Sequence, residues 1–278
     1  MDLQNVIKIE MFPFIDACHY TLMSMAVRED APQLNMFSKN HPFACWIATI
    51  FMSFAGNIIS STLLGDSLLD PLQDIRSILL ATLCWYIINF SPYDFVYKIC
   101  CIMPIRISIC IIKEFQRTFK IHYGILSANK KYENAFLVWI IVGTMRGAGS
   151  SFMRTVIAIL IHSQPSALSG FKIPATSKAC LSVSILFTFQ VFFGNSLSQE
   201  KVYTVGLIFL IYIRLTILLL SIHDPFIPIE NFFCGLLFES PLEKIHKVYK
   251  TMLTSTDDKT ITENTTSQRV NLKVQKEE

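Results

Sequence analysis

Seven apolar runs separated by short polar breaks dominate the chain, and each is close to the length a helix needs to cross a bilayer, about 20 residues. They lie at about Met11–Val27, Pro42–Leu64, Ile75–Phe90, Asp94–Lys120, Phe136–Ile161, Lys178–Phe193 and Val202–Ile222. Turn-forming residues part them: Ala31-Pro32-Gln33, Gly65-Asp66, Ser91-Pro92, Gln164-Pro165 and Gly194-Asn195. The pattern predicts an all-α membrane protein with seven transmembrane helices. Residues 1–253 form the transmembrane domain, although the Pro/Phe-rich stretch from Asp224 to Tyr249 fits no element. From Thr254 to Glu278 the chain is polar, rich in Thr, Lys and Glu, and reads as a disordered tail.

The runs also show an internal repeat. Sliding the second onto the fifth by 93 positions aligns Phe43 with Phe136, Trp46 with Trp139, Ile47 with Ile140, Gly56 with Gly149 and Thr62 with Thr155. Pro13-Phe14-Ile15-Asp16 opens the first run and Pro92-Tyr93-Asp94 the fourth, while Arg76 and Lys178 open the third and sixth. The unit is three helices, about 11–90 and 94–193, with the seventh helix, about 202–222, added outside the pair. Three crossings reverse the chain, so the second unit is inverted relative to the first. Inverted repeats with interrupted central helices are a transport architecture.

Composition agrees. The 278 residues are 52% hydrophobic and only 16% charged, with mean hydropathy +0.44, against about 25% charged in soluble domains. A net charge of +3 without a basic, aromatic-interleaved stripe argues against nucleic acid. The eight cysteines sit almost entirely in apolar stretches without zinc-site spacing, so they read as small buried hydrophobes. The opening Met1-Asp2-Leu3-Gln4 lacks the basic segment of a signal peptide, so the first run is expected to direct insertion itself. No G-x-S-x-G, H-E-x-x-H, paired-aspartate or P-loop motif points to an enzyme.

Polar residues inside apolar runs mark function, because a charge in hydrocarbon is costly. Gly143-Thr144-Met145-Arg146-Gly147-Ala148-Gly149-Ser150 places an arginine and three glycines in the middle of the fifth run. Arg146 needs an anionic headgroup, a carboxylate or a hydrated cavity; Gly143 and Gly147, four apart, suit close helix packing. Gly56-Asn57 is the repeat partner of Gly149-Ser150 and a candidate kink lining a cavity. In the fourth run Lys98, Arg106, Lys113, Arg117 and Lys120 recur at helical steps and predict one basic band, suited to a polyanionic phosphate, with Glu114 partly offsetting it. Snorkelling to lipid headgroups is the alternative for Lys113 to Lys120. Pro104 is expected to bend this helix. Asp16 and His19, one turn apart, fit a pore-mouth carboxylate, an ion-pair partner or an entry cap better than a metal pair.

These residues resemble the trimeric intracellular cation (TRIC) channels of type B. The resemblance rests on Phe12-Pro13-Phe14-Ile15-Asp16, His41-Pro42, Leu64-Gly65-Asp66, Ser77-Ile78-Leu79-Leu80-Ala81, Trp85-Tyr86, Ser91 to Lys98 and Met103 to Arg106. It rests above all on Lys113-Glu114-Phe115-Gln116-Arg117, Lys120-Ile121 and Gly143 to Gly149, with Lys178-Ala179 and Leu186-Phe187-Thr188. It covers roughly residues 11–250. It implies a seven-helix protomer of two inverted three-helix units, a homotrimer with one pore per protomer, and a potassium-conducting channel of the endoplasmic or sarcoplasmic reticulum. Potassium flow would offset the charge moved during calcium release. It implies a bound phosphoinositide, phosphatidylinositol bisphosphate, held by Lys113, Glu114 and Arg117, with Lys120 linked to gating and voltage. Many relatives read Lys-Glu-Val where this chain has Lys-Glu-Phe, and some carry lysine at Arg146; neither change removes a charge. The implied orientation has a luminal N-terminus and a cytosolic C-terminus. A secondary transporter and a non-conducting lipid-binding scaffold are the competing readings.

Overall fold

The computed structural model describes residues 12–30, 36–162, 173–194, 198–220, 224–228 and 230–231. The chain divides into two units, Met1–Pro225 and Phe226–Glu278. The long helices belong to the first unit; in the second, residues 227–228 and 230–231 are helical, and the Glu230 amide donates to the Phe226 carbonyl at 2.9 Å. The expected tail and most of the Pro/Phe-rich stretch lie outside the described residues.

The described part of the first unit holds nine α-helices and two 3₁₀ turns, Asp70–Leu72 and Pro92–Asp94; the α-helices are α1 Phe14–Asp30, α2 Met36–Asn40, α3 Pro42–Leu64, α4 Ile75–Phe90, α5 Phe95–Cys101, α6 Met103–Lys131, α7 Phe136–His162, α8 Ala175–Phe193 and α9 Gln199–Leu220. Their ends follow local chemistry. Pro42 sits in the first turn of α3, where its missing N–H costs nothing. Gly65 ends α3 at φ 73°, and the amides of Gly65 and Asp66 return to the carbonyls of Thr62 and Ser61. Asp74 caps α4, accepting from the Arg76 amide at 3.1 Å and the Ser77 hydroxyl at 2.6 Å. The Ser77 hydroxyl, with the Arg76 amide, holds this carboxyl below the ordinary carboxylate range.

The fourth apolar run departs from expectation. Tyr93 (φ 54°) and Asp94 (φ 56°) are both left-handed, and the Pro92–Cys101 segment turns 89° from α4. Extended Ile102 (φ −60°, ψ 126°) then separates α5 from α6. The break therefore precedes Pro104, which occupies the first turn of α6 and bends nothing. Lys98 falls on α5, so it does not share a helix with Arg106 and the residues beyond.

Four helices, α3, α7, α8 and α9, are long and apolar enough to cross a membrane, and α4 with the bent segment forms a fifth candidate. At 17 residues α1 is short, and α6 carries too many ionisable groups to pass as purely apolar. Both pack inside the bundle: α1 on α3, α4 and α6, and α6 on α7, α8 and α9. The apolar positions and the polar ones are inverted relative to a soluble protein. Leu79, Leu83, Leu137, Ile208, Tyr212 and Leu219 face outward, whereas Thr49, Ser53, Lys113, Glu114, Gln116 and Arg117 are buried. Lipid in place of water accounts for that inversion. Of the cysteines, Cys45, Cys84, Cys100, Cys110 and Cys180 are buried among the helices.

The closest approach is the crossing of α3 and α7. A Cβ on Gly149 would overlap the backbone of Gly56, and one on Gly56 would overlap the Arg146 carbonyl oxygen. Both helices run unbroken through these glycines. Neither helix breaks at the candidate kinks, and the two glycines make a backbone-to-backbone contact there, a common reason for small residues between membrane helices.

Candidate functional site

The inward face of α6 positions the polar groups. Residues 113, 116, 117 and 120 are three or four apart and share one side of the helix. At their centre the Arg117 guanidinium donates to both Glu114 carboxylate oxygens, at 2.6 and 2.5 Å. The pair is buried, with side chains 5% and 1% exposed. Lys113 is 7% exposed, and its Nζ lies 3.9 Å from the Met23 sulfur. Lys113 and Arg117 therefore point into protein and do not snorkel outward. Gln116 donates to Asp16 of α1, and His19 Nε2 donates to the Ser53 carbonyl of α3 at 3.0 Å. His19 is thereby bonded to backbone through Nε2, and among the described residues no group of three or more His, Cys, Asp or Glu is placed to hold a metal ion.

Three cavities adjoin along this face. The first, about 260 Å³, has Glu29, Arg106, Lys113, Arg117, Ser150 and Arg154 in its wall. The second, about 20 Å³, is bounded by His19, Gly56, Lys113, Arg117, Lys120 and Gly147, with Ser150 and Arg146 beside them. The third, about 200 Å³, has Asp16, Asn57, Gln116, Lys120, Tyr123 and Arg146 in its wall. Shared walls put them in a row. Arg106 and Tyr123 mark its ends, about 25 Å apart at 1.5 Å per helical residue, most of a hydrocarbon core of about 30 Å. The middle cavity has room for about one water molecule, so the row is pinched shut at Lys113, Arg117 and Lys120.

Arg146 finds no carboxylate among the described residues. Its guanidinium lies over the Tyr123 ring, 4.5 Å from the centroid, and its Nε has no hydrogen-bond partner. Of the alternatives open in the sequence, the carboxylate is not realised among the described residues, and Arg146 lines the second and third cavities. Gly143 and Gly149 line none of the three cavities; Gly143 packs on Ile125 and Ser184. Glu114 lies behind Arg117 and also lines none.

The C-terminal end of α1 closes the wide cavity. Arg28 pairs with Asp94 at 3.1 Å and donates to the Ile88 carbonyl at 2.9 Å. Glu29 pairs with Arg106 at 3.0 Å, and Asp30 with Arg154 at 2.7 Å. Arg214 of α9 also lines this cavity; it reaches Cys110 Sγ at 3.6 Å, and its Nε has no hydrogen-bond partner. Neither Arg154 nor Arg214 stood out in the sequence. Arg214 carried a signal, being a lone arginine in the middle of the most apolar run, mean hydropathy 2.2.

Apolar outer surfaces around a continuous row of polar cavities define a multi-pass membrane protein of the channel or transporter class. The chain belongs to the TRIC channel family, whose model matches residues 31–221. Relatives include the trimeric intracellular cation channel type 1B.2 of Caenorhabditis elegans, 35% identical over 246 residues, 86% of this chain and 78% of the relative. Another is the type B-A channel of Xenopus laevis, 33% identical over 83% of this chain and 82% of the relative. The solved structure of a C. elegans trimeric intracellular cation channel in the absence of Ca²⁺ superposes with TM-score 0.71 at 35% identity, covering 81% of this chain and 100% of that one. A second structure, described as the basis for activity of TRIC counter-ion channels in calcium release, gives TM-score 0.70 at 30% identity over 78% of this chain and 97% of that one.

Proposed function

We propose that this chain forms a potassium channel of the endoplasmic or sarcoplasmic reticulum, supplying counter-ion flow during calcium release and opened by a phosphoinositide. The observation that carries this reading is the row of cavities through a single protomer, pinched at the basic residues of α6. A path inside the protomer suits a homotrimer with three separate pores. The small middle cavity marks this conformation as closed.

With α1, α6 and the five apolar candidates as crossings, the protomer has seven spans, a luminal N-terminus and a cytosolic C-terminus. Gly56 and Gly149 support the inverted repeat: residues equivalent across a two-fold axis meet where the axis passes, and these two meet. In this orientation α6 begins on the cytosolic side. The wide cavity then opens toward the leaflet that holds inositol lipids, and Lys113 lies about 10 Å along α6 from Arg106. A headgroup in the cavity reaches Lys113 and Arg117 without crossing hydrocarbon. Lys120, at the pinch, sits where a transmembrane field concentrates, and moving one charge through 100 mV is worth about 2.3 kcal/mol.

Recording purified protein in planar bilayers under asymmetric KCl tests the function. A channel gives unitary current steps reversing toward the potassium equilibrium potential. A transporter gives coupled flux without steps, and a scaffold gives neither. Lys113→Ala/Arg117→Ala is expected to lose retained phosphatidylinositol bisphosphate in native mass spectrometry while remaining trimeric; full retention would count against the lipid site.

A further inference from the structure

The charges along the pathway do not suit a cation channel. Of the arginines lining the wide cavity, Arg106 is compensated by Glu29, Arg154 by Asp30 and Arg117 by Glu114. Four lining cations, Lys113, Lys120, Arg146 and Arg214, have no ion-pair partner within 4 Å among the described residues. Against them stands one lining carboxylate outside these pairs, Asp16, held by Gln116. The row therefore carries a positive surplus over its whole length. Each uncompensated charge repels a passing cation and draws in chloride, with little screening in a narrow, partly dehydrated path.

We propose that a bound polyanionic phosphate headgroup is itself part of the conduction path, reversing its sign, so that cation preference belongs to the loaded channel and not to the protein alone. This rests on the phosphoinositide reading above but goes further, since a ligand that only opens a gate leaves selectivity untouched. The stoichiometry fits. An inositol bisphosphate headgroup with its diester carries about −4 at neutral pH, enough to overturn the surplus. The wide cavity places such a group beside Lys113 and Arg214, which both line it and lack a carboxylate partner within 4 Å among the described residues. The headgroup acts as a fixed countercharge: cations pass beside it, and chloride is excluded.

The test is the K⁺/Cl⁻ permeability ratio of the full chain, read from reversal potentials in phosphatidylcholine bilayers under a KCl gradient. Phosphatidylinositol, its monophosphate and its bisphosphate are added in turn, and soluble inositol trisphosphate serves as the headgroup without a membrane anchor. The ratio is expected to rise with headgroup charge, about tenfold or more across the series. A rise with the soluble form as well assigns the effect to phosphate chemistry, and a rise with lipid alone assigns it to the anchored headgroup. A channel that conducts only with the bisphosphate is judged by Arg214→Gln, which removes one surplus charge and must raise the ratio at equal lipid retention. A ratio unchanged across the series, or unchanged in Arg214→Gln, overturns the proposal. A chain that retains no phosphoinositide in native mass spectrometry instead refutes the underlying lipid reading.

Discussion

Gly149→Ala is expected to destabilise the bundle more than any other single methyl added at the helix-packing glycines Gly143, Gly147 and Gly149. The added carbon would overlap the Gly56 backbone and lie 2.9 Å from the Ala55 carbonyl carbon. Backbone atoms cannot rotate aside, so α3 and α7 must separate, and every contact along the crossing loosens with them. Overpacking a core typically costs about 1–3 kcal/mol where side chains can adjust; here the cost should reach about 3 kcal/mol or more. Gly147→Ala is the control. Its new carbon would overlap Ile121 Cγ1, with Cδ1 at 2.8 Å, and a side chain, even one stiff at χ1, yields more readily than backbone. Thermal unfolding of the purified protein should rank wild type above Gly147→Ala above Gly149→Ala. The reverse order of the two variants would show that the crossing yields more easily than the side-chain contact.

The second large effect belongs to Glu114. Glu114→Gln leaves the Arg117 guanidinium buried without a carboxylate, and removing one partner of a buried ion pair costs about 3–5 kcal/mol. Replacing both partners by apolar groups of similar size is often nearly neutral. Glu114→Met/Arg117→Met should therefore unfold at a higher temperature than Glu114→Gln, although it removes one side chain of the proposed headgroup site. Equal loss in the two variants would mean that the pair contributes through packing volume alone. Measuring lipid retention beside stability separates the structural role of Glu114 from the binding role proposed for Arg117.

Apolar runs were readable because lipid demands them: α3, α4 and α8 begin and end within a few residues of the positions that hydropathy assigns. The helical spacing of Lys113, Arg117 and Lys120 likewise placed them on one side of a single helix. The same argument failed for Lys98, because a step of eight residues implies a shared face only if the helix is continuous. Nothing in Tyr93-Asp94 or Ile102 announces the left-handed turn and the extended break that separate it from the rest. Pro104 misled because a proline reads the same at a helix start and in a helix interior until the start is located. Partners distant in sequence were invisible: Gln116 lies 100 residues from Asp16, and Arg154 lies 124 from Asp30. The glycine crossing was half legible, since the repeat matched Gly56 to Gly149, but matching two positions does not say that they touch.

The side-chain ties along α1 make it a connecting rod. One end is hooked to Gln116 through Asp16, the shaft is pinned to α3 through His19, and the far end is fastened through Glu29 and Asp30 to the arginines at the mouth of the wide cavity. Asp16 and Glu29 are about 20 Å apart along the helix. Arg28 fastens that far end a second time, to Asp94 and to the Ile88 carbonyl, so it stays held even where Arg106 and Arg154 let go. A helix tied at both ends moves as a unit, so the mouth of the wide cavity and Gln116 beside the pinch are linked through it across most of the bilayer.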